Sequence, residues 1–176
     1  MSEIQISSGY RPSLIGRITH MHMAYYAPFA GFGQRFESVV AGGLSSFCDR
    51  LHHPNNQIWL AIQDQQIVGS VAIDGEDLGN NTAHLRWFIM DDRVRGQGVG
   101  GQLLTQALQF VDAKEFEETQ LWTFNGLHAA RHLYESNGFK LAEENLGSQW
   151  GTEIMEQRFS RAAKPSSKII AANNAS

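Results

Sequence analysis

The chain predicts an α/β fold built on one mixed sheet, and three observations carry that prediction. Strand-like apolar runs recur between amphipathic segments, so strands and helices share one domain. Two such runs flank the polar turn Asp64-Gln65, which reads as an antiparallel hairpin. A third run closes shortly before a glycine-rich segment, Arg95-Gly96-Gln97-Gly98-Val99-Gly100-Gly101, that opens an amphipathic helix.

Element by element, residues 4–7 alternate and form a short first strand. Pro12 suits the first turn of a helix. That helix carries Leu14, Ile15, Ile18, Met21 and Tyr25 inward and is expected to stop before Pro28. Gly31-Phe32-Gly33 reads as a loop. Phe36, Val39, Val40, Leu44, Phe47 and Leu51 recur at three- and four-residue steps, so a second helix fits despite Gly42-Gly43. Residues 58–63 and 66–73 are the hairpin strands, and 84–90 the next. A helix over 102–114 leads to strand 120–124. A helix from Leu127 then precedes the closing strands 139–143 and 151–159.

At 176 residues the chain is one domain with room for a proper core. Its 42% apolar and 18% charged content is that of a soluble globular protein. No run of about 18 apolar residues exists, so no membrane partner is expected. The N-terminus lacks the pattern of a signal peptide. Cys48 is alone, which excludes an internal disulfide and suits a reducing cytoplasm. It reads as a small apolar residue on a helix. A net charge of −4 argues against a nucleic-acid partner and fits an acceptor that carries positive charge. Arg161 to Ser176 reads as a flexible tail, leaving residues 1–160 as the folded domain.

Closely spaced glycines turn the backbone tightly and leave its N–H groups uncovered. At the positive end of a helix such groups hold a phosphate, and Arg95 places a cation at the lip of that cradle. Gly96-x-Gly98-x-x-Gly101 also satisfies the dinucleotide fingerprint. Five residues, Asp91 to Arg95, separate it from the strand, however, and the chain lacks two repeated mononucleotide-binding halves.

Read as Arg-x-x-Gly-x-Gly, Arg95 to Gly100 resembles the coenzyme A loop of the GCN5-related N-acetyltransferases (GNAT). Leu127 to Phe139 resembles the family's downstream helix, Ala-x-x-Leu-Tyr-x-x-x-Gly-Phe, with Gly138 placed to end it. Leu127, Ala130, Arg131 and Tyr134 share one face of that helix. The resemblance covers about residues 10–160. The wording "AHLRWFIM", "LWTFNGLHAARHLYE" and "WGTEIMEQRF" is most similar to acetyltransferase domains fused behind MarR-type winged-helix regulators, although no DNA-binding part is expected before residue 1.

The resemblance implies the GNAT fold, a strongly twisted mixed sheet of about six to seven strands with four helices. It implies acetyl-CoA as co-substrate, no metal, and direct transfer of acetyl to a primary amine in a ternary complex without an acyl-enzyme. Cofactor contacts map to the main chain of Phe88, Ile89 and Met90 and to the loop Arg95, Gly96, Gln97, Gly98, Val99, Gly100 and Gly101. A backbone N–H of the strand segment would serve the thioester carbonyl as oxyanion donor.

Tyr134 is the candidate acid for the leaving thiolate, or else a packing aromatic. The family's asparagine seven positions before that tyrosine is Leu127 here, and Asn125 is a substitute if the loop allows. The family's strand glutamate corresponds to His84, the candidate base, with Glu37, His20, His22, Glu76 and water as rivals. Simple alternation places His84, Arg86, Phe88 and Met90 on one face.

His20 and His22 point apart, and His128 and His132 share a face without a third ligand, so no metal site is expected. Trp87, Trp122 and Trp150, with Tyr25, Tyr26, Phe29 and Phe32, are candidates for an acceptor pocket, though most read as core and dimer-contact residues, which leaves a homodimer open. The alternative function is a non-catalytic acyl-CoA-binding sensor. The acceptor itself is not written in the sequence.

Overall fold

The computed structural model describes residues 2–164. Strand β1 (Gln5–Ser8) is followed by helices α1 (Leu14–Ala30) and α2 (Gln34–Asp49), then strands β2 (Gln57–Gln63), β3 (Gln66–Asp74) and β4 (Thr82–Met90). Helix α3 (Val99–Ala113), β5 (Glu118–Phe124), α4 (His128–Ser136), β6 (Lys140–Gly147) and β7 (Ile154–Ala162) complete the chain. The strands form one seven-stranded sheet in the order β1-β2-β3-β4-β5-β7-β6. Only β4 and β5 pair in parallel, so the mixed α/β GNAT architecture expected from the sequence is observed.

Each face of the sheet carries its own core. Leu14, Ile18 and Met21 of α1 and Phe36, Val40, Leu44 and Phe47 of α2 pack with Ile58, Leu60 and Ala72 on one face. Leu103, Leu104, Ala107 and Val111 of α3 pack with Val71, Ile73, Ala83 and Leu85 on the other. These are the three- and four-residue steps and the strand alternation that marked the elements in the sequence. The β2–β3 turn is as expected: Asp64 and Gln65 both have positive φ, 48° and 63°, as a tight two-residue hairpin requires.

Most element boundaries fall one to four residues from those expected, as with α3 beginning at Val99 and not at Gln102, and two of the differences have a clear physical cause. Helix α1 continues through Pro28 to Ala30 instead of stopping before it. Proline lacks only its own N–H and sits in the last turn here, where Gly31, at φ 68°, donates its N–H to the Ala27 carbonyl and ends the helix. At the other end β7 passes residue 160 and reaches Ala162. Arg161 is buried, with its guanidinium on both carboxylate oxygens of Asp112 at 2.9 and 3.1 Å, so it belongs to the folded body and not to a tail. The rest of the expected tail, from residue 165 on, lies outside the described residues.

Candidate active site

The site forms where β4 and β5 part. They pair only at Thr82–Glu118, Ala83–Thr119 and His84–Gln120. Beyond His84 the β5-facing edge of β4 has no strand beside it, while β5 continues with β7 through Phe124. A cavity of about 340 Å³ occupies this wedge. Phe88 and Tyr134 line it on the α3–α4 face of the sheet; His84, Arg86, Trp122 and Trp150 are among its other walls.

A bulge in β4 decides which residues face which side. The pairing with β3 jumps from Ala72–Arg86 to Ser70–Ile89, and Trp87 adopts φ 48°. A bulky residue in that region costs about 1–3 kcal/mol and persists only when its surroundings impose it. Here Ser70 Oγ donates a 2.7 Å hydrogen bond to the Trp87 carbonyl. The expectation of unbroken alternation is therefore corrected. Arg86 and Trp87 both approach Gly43 of α2, each within 3.1 Å of where a Cβ would stand. Phe88 and Met90 instead pack on the α3 face with Ala83 and Leu85. Two positions near one strand thus serve opposite sides of the sheet.

The glycine-rich loop lies at the end of β4. Gly96 and Gly98 have φ 74° and 79°, and a Cβ on Gly96, Gly98 or Gly101 would meet nothing within 4 Å. Gly98 caps α3 with no side-chain hydrogen bond, so the first N–H groups of that helix are left uncapped beside open space. Gly100 is different, because its Cβ would stand 3.3 Å from Phe88 Cζ. Arg95 is turned toward α1: it donates to the Met90 carbonyl at 2.6 Å, pairs with Asp92 and stacks 4.0 Å over the Tyr25 ring. A free edge of β4 leading to a bare helix N-terminus fits a pantetheine arm ending in a pyrophosphate.

Tyr134 stands on α4, with Ala130 on the same helix and Leu127 at its N-cap packed against the core. Burial, with a smaller contribution from Tyr26, pushes the Tyr134 hydroxyl well above the usual phenol range, so it stays protonated. Leu127 is buried among apolar residues, and Asn125 is exposed, with its backbone N–H on the Met155 carbonyl at 3.0 Å. The Asn125 side chain is not part of the cavity wall.

His84 lines the cavity, with its Nδ1 2.7 Å from Asp77 Oδ2 and its ring packed edge-on to Trp122 at 4.8 Å. Arg86 lies 3.4 Å from Asp74 and 3.5 Å from Asp77, and Arg50 grips Asp74 from the outside at 3.0 and 2.7 Å. Burial would raise the Asp74 carboxyl, but the bonds from Arg50 and the Glu76 N–H, with the charges of Arg50 and Arg86, hold it below the usual carboxylate range. Burial lowers Arg86, and Asp77 and Asp74 oppose that effect. The result is a charge-matched cluster of two cations and two carboxylates beneath His84.

Among the rival bases, Glu37, Glu76 and His20 are exposed, and His20 belongs to a separate hollow of about 70 Å³ beside Tyr25 and Arg95. His22 does line the main cavity, but burial pulls its imidazole down to about 4. Its Nδ1 lies 2.8 Å from the Ile18 carbonyl, which can only accept, so that nitrogen carries the proton. Asp77 and Asp74 escaped sequence reasoning, since neither sits in a motif and only the fold brings the β3–β4 turn over His84. Of the expected pocket aromatics, Trp87, Trp122, Trp150 and Tyr26 line the cavity, whereas Tyr25, Phe29 and Phe32 do not. No group of three or more metal-ligating side chains occurs among the described residues.

A split parallel pair in a mixed sheet, with a glycine-opened helix at its mouth, defines an acyl-coenzyme-A type of fold. Residues 19–139 match the acetyltransferase (GNAT) family, and the chain belongs to that family. N-acetylaspartate synthetase from Xenopus tropicalis is 32% identical over 90 residues, 51% of this chain and 33% of that protein. N-acetyltransferase 8B from Homo sapiens is 30% identical over 95 residues, 52% of this chain and 42% of that protein. The chain thus spans less than half the length of these curated relatives. A GNAT-family acetyltransferase from Staphylococcus aureus superposes with a TM-score of 0.73 at 20% identity, covering 92% of this chain and all of that one. The PaiA N-acetyltransferase of Thermoplasma acidophilum, solved in complex with coenzyme A, gives 0.69 at 16% identity, covering 91% of this chain and 99% of that one. These likenesses are of fold.

Proposed function

We propose that the chain is an acetyl-CoA-dependent N-acetyltransferase that moves acetyl directly to a primary amine in a ternary complex. The observation that carries this reading is the continuity of the wedge: the free β4 edge runs from His84 to the bare N-terminus of α3, with Tyr134 on its wall. The main chain of Phe88, Ile89 and Met90 would pair with the pantetheine arm as an added strand does. Gly96 to Gly101 would hold the pyrophosphate. Bound there, acetyl-CoA supplies an acetyl group activated as a thioester.

His84 takes the proton of the incoming ammonium group, and the Asp77 carboxylate orients its ring through Nδ1, leaving Nε2 for the amine. A β4 backbone N–H donates toward the carbonyl oxygen where negative charge develops. Tyr134 holds a proton for the departing sulfur. A lone cysteine fits action in the reducing cytoplasm.

The test is free-thiol release from acetyl-CoA by the purified chain with a panel of primary amines, beside calorimetry with coenzyme A and with a nicotinamide dinucleotide. Binding of coenzyme A alone and amine-dependent thiol release support the reading; failure to bind coenzyme A overturns it. A second reading, an acyl-CoA sensor without turnover, draws on buried Leu127 and outward Asn125, which leave the family's amide position apolar. Binding without thiol release from any amine would select it. Likewise, the three quoted segments support kinship with domains fused to MarR-type regulators.

A further inference from the structure

Resting on the acetyl-transfer reading, we propose that the acceptor half of the cavity takes a small primary amine carried on a flat aromatic body and without a carboxylate. On the α1–α2 side of the sheet the cavity is walled by Tyr26, Phe36, Trp122, Phe124, Trp150 and Val39. These rings pack edge to face: Tyr26 and Phe124 meet at 5.6 Å and 64°, and Phe124 and Trp150 at 5.8 Å and 62°. A flat guest continues that packing, since ring pairs at such angles attract beyond the area they bury.

The cation and the side-chain amide of the same wall are already engaged. Arg86, its cation, faces Asp74 and Asp77 and stacks 4.1 Å over Trp87. Gln149 is held through both its N–H and its amide by Glu156, at 2.9 and 2.8 Å. A carboxylate seated here would find no spare positive charge, and a buried unpaired carboxylate is costly. An amine is different, because the His84–Asp77 pair receives its proton at the inner end. The whole cavity, about 340 Å³, also holds the acetyl end, so the part of the acceptor that it encloses is small.

The experiment compares a 2-arylethylamine, a straight-chain alkylamine of equal length and aspartate, by kcat/KM from thiol release and by calorimetric binding of each amine alone. The arylethylamine should exceed both others at least tenfold in each readout. Trp150→Leu, on a half-exposed loop, should remove most of that preference. Val39→Phe should fill the slot and favour the alkylamine, with coenzyme A affinity unchanged in both variants. A preference for aspartate, or selectivity unaltered in both variants, overturns the proposal. If coenzyme A binds but no amine is acetylated, the transfer reading fails while the slot is still judged by calorimetry. Arylethylamine binding that Val39→Phe abolishes supports it, and absence of binding overturns it.

Discussion

His84 Nδ1 and Asp77 Oδ2 lie 2.7 Å apart, joining the last residue of the β4–β5 pairing to the turn that precedes β4. The bond occupies one ring nitrogen and leaves the other without a protein partner in a residue that lines the cavity. A base must be neutral to accept a proton, so activity should rise with pH along an acidic limb. His84→Ala should flatten that limb and lower turnover at neutral pH, with melting temperature and coenzyme A affinity nearly intact. Asp77→Asn should lower kcat about 10- to 100-fold and move the limb without removing it, while KM for coenzyme A holds. One acceptor must be used throughout, because the amine also titrates. An acidic limb unaltered in His84→Ala would return the base role to a carboxylate or to water.

Tyr134→Phe keeps the ring among Phe88, Phe139 and Phe159 and removes only the hydroxyl. Turnover should fall by about 10²- to 10⁴-fold with coenzyme A affinity within twofold. Kinetics within twofold of the parent would make Tyr134 a packing residue.

The phosphate cradle is best probed at Gly98, not Gly100, where a side chain would press on Phe88 and confuse packing with binding. Gly98→Ala pays a backbone cost of about 1–2 kcal/mol for its positive φ. Gly31→Ala, at φ 68° and with equally open space, pays a similar cost at the far end of α1. Both should lower the melting temperature alike, but only Gly98→Ala should weaken coenzyme A binding, by at least tenfold. Equal affinities in the two variants, measured by calorimetry, would remove the cradle argument.

His22 makes the protein sensitive to acid. Above pH about 6.5 the ring is neutral in both folded and unfolded chains. Below that, the unfolded chain takes up a proton that the folded one refuses until about 4. Stability is therefore full above the unfolded value and is lost as pH falls toward 4, by about 3 kcal/mol over the window. His22→Leu should flatten the dependence of melting temperature on pH between these limits. Parallel curves for parent and variant would place the titration elsewhere.

What the sequence made legible follows from what is local. The glycine-opened helix, the Asp64-Gln65 hairpin and the Tyr134 helix are each written in consecutive residues and all form, although α3 begins at Val99, three residues before the expected Gln102. The bulge at Trp87 is not local: it depends on Ser70 across the sheet reaching the Trp87 carbonyl. Alternation therefore mistook the side taken by Phe88 and Met90. Pro28 misled for a related reason, since a proline in the final turn forfeits little and the true stop is Gly31. Asp77 carried no signal at all, being one acid in a loop until β3 and β4 bring it over His84.

The short seam between β4 and β5 has a consequence for who can enter. An unpaired strand edge ordinarily recruits any passing peptide backbone. A peptide bears side chains on both faces and needs about 4.8 Å of clearance to each neighbour along its whole length. The wedge closes to nothing at His84 and is flanked by Leu85 and Leu121, so a branched chain would jam before reaching the apex. The thiol end of a pantetheine arm, cysteamine and β-alanine joined by an amide, carries no side chains and would pass. On the proposed reading, the taper would work as a gauge of girth, passing the narrow thiol end of the cofactor and refusing a chain that bears side chains on both faces.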